Sequence, residues 1–170
     1  MSKINIHINE AFDPKLNETY IGLINIDKPP FHLVTISNLK QFSWEIGKSR
    51  IGEPVDSLAR HLNRNQTRNI FLRISEDLSI LNQIENAYRN CQDAETCLDP
   101  INTFLREITK EVNGKPMTVF ELMDFLKANS LWDCSFGVNL NVGEIKLKVY
   151  DRNTVNQHIE RLKILEPQRS

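Results

Sequence analysis

The chain opens on strict alternation: Ile4, Ile6 and Ile8 are separated by Asn5, His7 and Asn9, the two-residue period of a strand that buries one face and turns His7 outward. Beyond a turn-like stretch at Asp13-Pro14, residues 20–26 are rich in aromatic and β-branched side chains and read as a second strand. Asp27-Lys28-Pro29-Pro30 closes it, and the prolines enforce an extended approach to the next segment. Residues 31–37 and 41–46 are predicted as strands joined by a short polar turn near Asn38, an antiparallel hairpin. The pairing that gathers the apolar side chains on one face sets His32 opposite Trp44. His32, Val34, Ile36, Phe42 and Trp44 then share a core face, and Thr35, Gln41 and Ser43 share the other.

The period then lengthens. Val55, Leu58, Ala59 and Leu62 recur at helical spacing over residues 53–64, with Pro54 suited to a first turn. Residues 68–75 read as another strand, and Ser75-Glu76-Asp77 can cap a helix carrying Leu78, Leu81, Ile84 and Tyr88. Leu98, Ile101, Phe104, Leu105 and Ile108 form the apolar stripe of a helix running to about residue 110, with Cys97 at its N-terminal end. A further helix fits residues 118–129, strands fit 134–141 and 144–150 around Asn141-Val142-Gly143, and a final helix fits about 153–163; the tail 166–170 is expected to fray. Strands and helices are segregated enough to favour an α+β class, a mainly antiparallel sheet with packed helices, over a doubly wound α/β sheet.

A length of 170 residues suits one domain spanning residues 1–170, and 40% hydrophobic with 25% charged residues is an ordinary globular composition. Lys and Arg number 21 against 22 Asp and Glu, so no net positive field exists to favour nucleic acid as a partner. No apolar run approaches the ~20 residues of a membrane helix, and the start lacks a signal-peptide core; a cytoplasmic location is expected. Three cysteines without paired spacing read as reduced thiols, Cys91 and Cys134 as structural ones. The four histidines form no short-spaced set with cysteine or carboxylate, so neither metal nor cofactor is implied. Arg60, Arg64, Arg68 and Arg73 with His61 form a modest basic stretch that suits a solvated helix face more than an anionic ligand or acidic partner, and Asn113-Gly114-Lys115 reads as a turn lacking the residues of a phosphate loop.

One position changes this picture. A cysteine where a helix starts meets unpaired N–H groups and the positive end of the helix dipole, which favour the thiolate and make Cys97 a candidate nucleophile. His32, on a strand able to pack against that helix, is the candidate base. Phe31-His32-Leu33-Val34-Thr35-Ile36-Ser37, followed much later by Thr96-Cys97-Leu98-Asp99-Pro100-Ile101 and Phe104-Leu105, resembles the histidine strand and cysteine helix of the permuted papain-like hydrolases of the NlpC type, the group that includes lecithin retinol acyltransferase. The resemblance spans roughly residues 20–108. It implies attack of Cys97 on an amide, ester or thioester, a covalent acyl-enzyme, and an oxyanion held by N–H groups at the helix start. That group sets a histidine or another acceptor where the expected hairpin has Trp44, and an indole only donates; Glu45, next in sequence, is the candidate third member.

The same residues admit a plainer account. Cysteine is among the most buried residue types, and His32 fits a hydrogen-bonded position at a core edge. Two functions therefore stand: a cysteine hydrolase or acyltransferase acting on an unknown acyl substrate through Cys97 and His32, and a noncatalytic protein-binding domain of adaptor, immunity or homodimer type.

Overall fold

The computed structural model describes residues 3–46, 48–74, 80–110, 116 and 118–165. In chain order these form β1 (Lys3–Ile8), β2 (Glu10–Ala11), β3 (Thr19–Ile24), β4 (His32–Ser37), β5 (Lys40–Ser43), β6 (Arg50–Pro54), α1 (Val55–Asn65), β7 (Asn69–Ile74), α2 (Ile80–Arg89), α3 (Asp99–Thr109), α4 (Val119–Ala128), β8 (Trp132–Val138), β9 (Gly143–Lys148) and α5 (Arg152–Leu165). The class is α+β. The expected cap at Ser75-Glu76-Asp77 with Leu78, the Asn113-Gly114-Lys115 turn and the tail 166–170 lie outside the described residues.

A strand covered on both faces reads as a continuous apolar run instead of an alternation. β3, β4 and β7 are of this kind, with nearly every residue buried, and they occupy the middle of a seven-stranded sheet ordered β2-β8-β7-β3-β4-β5-β6. All its pairings are antiparallel except the short β2 beside β8. One face carries Leu23, Leu33, Phe42 and Leu72 against helices α2, α3 and α4, from which Tyr88, Phe104 and Leu122 enter the same cluster. The other face carries Tyr20, Val34, Ile36 and Phe71 against Val55 and Leu62 of α1. The two strands on either side of Asn141-Val142-Gly143 do not pair with each other: β8 lies against β7, and β9 pairs with β1 in a separate ribbon. There His7 faces outward, as its alternation requires, 3.0 Å from Glu144.

The β4–β5 hairpin departs from the expected register by one residue. Val34 pairs with Ser43, Thr35 with Phe42, Ile36 with Gln41 and Ser37 with Lys40. Its turn residues Asn38 and Leu39 both have positive φ, 52° and 63°, the two-residue geometry that matches the strand twist and fixes Ser37 opposite Lys40. The single apolar face grouping His32, Val34, Ile36, Phe42 and Trp44 is thereby overturned. Val34 and Ile36 share a side with Gln41 and Ser43, while Phe42 lies with Leu33 and Thr35. Because both sides of this sheet are covered, collecting apolar residues on one of them carried no information about register.

β6 is a strand the pattern did not announce; with Arg50, Gly52 and Glu53 it is polar enough for a sheet edge. The basic stretch is partly engaged: Arg68 pairs with Asp27, and Arg73 reaches Asp133 at 2.9 Å and Glu18 at 3.5 Å.

Candidate functional site

β5 leaves the sheet after Ser43, so the first residues of β4 have no strand beside them on that side. The Leu33 N–H, which would otherwise meet a strand carbonyl there, donates to Cys97 Sγ at 3.4 Å. Leu33 N is bonded to the carbonyl carbon of His32, and standard backbone dimensions put the sulfur within about 6 Å of the His32 Cα. The turn before α3 thus docks on the sheet end through a thiol in place of a fifth-strand carbonyl. Phe31, one residue before β4, is fixed by the Tyr150 hydroxyl, which accepts its N–H at 3.0 Å, and by rings of Tyr150 and Phe120 at 5.1 and 6.1 Å.

Around this junction lies a cavity of about 600 Å³, bounded by the start of β4, the chain after β5, the turn before α3, the start of α4 and one side of α5. His32, Glu45 and Cys97 all line it. At the sheet end residues of both parities reach the same space, which is why Leu33 and Trp44 line it as well as His32 and Glu45. The observed register, continued past Ser43, brings Glu45 level with His32, and His32 Nε2 stands 3.5 Å from Glu45 Oε1. Glu45, not Trp44, is therefore the neighbour of the imidazole. No hydrogen bond joins His32 to Cys97 among the described residues.

The electrostatics of the three groups differ from the expectation of an ionised thiol. Burial pushes the Cys97 thiol up to about 11; the Leu33 N–H works against this, and the carboxylates of Asp99 and Glu45 add to it. At the helix start Leu98 is the N-cap, Cys97 precedes it, and Asp99 sets a negative charge in the first turn against the positive end of the dipole. Several N–H groups around the helix start already have partners. Asp99 Oδ2 accepts from the N–H groups of Glu95 and Thr96 at 2.7 and 3.2 Å, and Thr96 accepts from Leu98 through its hydroxyl and from Asp99 through its carbonyl. Burial and the two carboxylates thus favour the protonated form of Cys97, which is half-buried and lines the cavity. Burial likewise lowers the pKa of His32, against the pull of Glu45 and with the help of His158, although the side chain keeps 35% of its surface exposed. Cys91 and Cys134 are free thiols away from this cavity.

Two lining groups were not singled out from the sequence. His158 faces the cavity from α5, its pKa lowered by burial and then by Arg161, and Lys48 lines it as well. The signal for His158 was present: with Val155, Ile159 and Leu162 it makes one stripe of the last helix, a histidine among apolar positions three and four apart. Compared with known proteins, the chain matches no family model, no curated protein and no solved structure.

Proposed function

We propose that the protein binds a small molecule in the cavity at the end of β4, with the His32–Glu45 pair recognising its polar part and Cys97 serving as a neutral wall residue. The observation that carries this is the convergence of a 600 Å³ space with a few polar groups on otherwise apolar walls, the size and character of small-ligand sites. A thiol that burial keeps protonated and that already accepts the Leu33 N–H supports binding over nucleophilic attack. The test is a titration with benzyl alcohol, benzoate and benzylamine monitored by amide NMR. At least one should give saturable shifts confined to the cavity lining, weakened about tenfold or more in His32→Ala; shifts scattered over the surface, or none, would contradict the reading.

A second reading, a cysteine hydrolase or acyltransferase, is favoured by one specific fact: Cys97, His32 and Glu45 line the same cavity, with the carboxylate at the imidazole. In this reading His32 holds its Nε2 proton toward Glu45 and its Nδ1 takes the Cys97 proton as the S–C bond to the substrate carbonyl forms. The bond to the leaving group then breaks as His32 returns that proton, and water or another acceptor releases the acyl group. A burst of nitrophenolate from p-nitrophenyl acetate with the acetyl group found on Cys97, lost in Cys97→Ala and slowed ~100-fold or more in His32→Ala, would establish it. Hydrolysis that persists in Cys97→Ala would dismiss it.

A further inference from the structure

The last helix is built unlike the others. α5 has no buried residue, yet it carries a stripe of Val155, His158, Ile159 and Leu162 that is half-buried while the positions between are exposed. α2, α3 and α4 each bury four or more residues of their own in protein core. The helix is well started, with Asp151 Oδ1 accepting the Thr154 N–H at 3.0 Å, so weak packing is not the result of a frayed first turn. Its apolar side looks into the cavity, which α4 meets only at its start, Thr118 and Val119.

The charge lining this space is balanced. Glu45 and Lys48 supply one charge of each sign, and both imidazoles are shifted toward their neutral form because burial works against the cation. A ligand of either charge would meet one like and one opposite charge and give up its water for that mixed environment, whereas a neutral hydrogen-bonding group meets donors and acceptors without that cost. The volume holds a ligand of drug-like size and not a lipid with two long chains.

Resting on the proposed binding function, we infer that the cavity takes an uncharged small molecule whose apolar body lies along Val155, Ile159 and Leu162 of α5 and whose hydrogen-bonding end meets His32. α5 is then a specificity wall: its apolar stripe completes its burial against the ligand.

The experiment compares the full-length protein with Ile159→Asp and Leu162→Gln for binding of N-octylacetamide, N-ethylacetamide, octanoate and octylamine by calorimetry. N-octylacetamide should bind at least tenfold more tightly than the two charged octyl probes and than N-ethylacetamide, and should raise Tm by about 5–10 °C at ~100 times its Kd. Either substitution should weaken it tenfold or more with circular dichroism unchanged, because neither position is buried. Tightest binding of octanoate or octylamine, or binding indifferent to both α5 substitutions, would overturn this inference while leaving a His32-dependent cavity site intact. Failure of every octyl and benzyl probe to bind would overturn the proposed function itself.

Discussion

Burial decides how Cys97 behaves: with the Asp99 and Glu45 carboxylates it favours the protonated thiol, against the Leu33 N–H that donates to the sulfur at 3.4 Å. With the thiol pushed up to about 11, alkylation of Cys97 by iodoacetamide at pH 7.5 should run on the order of 100-fold slower than that of a free thiol and still be rising at pH 9. Peptide mass mapping with Cys91 and Cys134 as internal references checks this, and fast labelling that depends on His32 would instead favour the acyl-transfer reading. Gly22 gives a second test at this scale. A Cβ there would stand 2.6 Å from Phe71 Cε1 and 2.8 Å from Val34 Cγ2, and the Phe71 ring is itself stacked on Phe12 at 3.8 Å, so it has little room to yield. Gly22→Ala should cost about 1–3 kcal/mol in denaturant unfolding; an unchanged midpoint would show that the strands of the sheet centre shift freely.

Among the elements, those with one dominant environment were legible. α3 and α4 bury a long stripe, and β1 alternates, so period alone located them. The hairpin was legible as an element but not in its register, since Val34 and Leu33 are both buried on opposite faces and only the Asn38–Leu39 turn tells the two pairings apart. That one-residue difference moved Glu45 to His32, so these two residues are brought together by a pairing the hydrophobic pattern did not favour. β6 escaped notice because an edge strand of Arg50, Gly52 and Glu53 carries neither alternation nor an apolar run. For α5 the sequence showed a helix but not that its stripe borders a cavity, which depends on what lies opposite. The contrast is measurable: Leu122→Ala, at a fully buried position of α4, should cost about 2–5 kcal/mol, whereas Leu162→Ala on α5 should cost less than about 1 kcal/mol. Equal losses in urea unfolding would mean that α5 is held by core packing after all.

At the scale of the whole molecule, the near balance of 21 basic and 22 acidic residues leaves pH sensitivity to the few groups whose surroundings differ on folding. His32 and His158 have lowered pKa in the folded chain, so the unfolded chain binds more protons below about pH 6.5. Stability is then lost as pH falls through about 6.5 toward the folded values, while Asp27, lowered by Arg68, acts only at more acidic pH. The Tm should drop between pH 7.5 and 5.5, and drop less in His32→Gln; the same drop in both proteins would show that His32 does not contribute to it. None of the described helices is long and apolar enough to cross a membrane, and the mixed surface leaves the end of the sheet as the most distinctive chemical region. The most direct measurement of that region's role is a titration of methyl-labelled protein with N-octylacetamide. Binding at the proposed site predicts saturable shifts of the Ile159 and Leu162 methyl signals, while Val55 and Leu62 on the α1 side of the sheet stay still; shifts at α1, or none at α5, would contradict it.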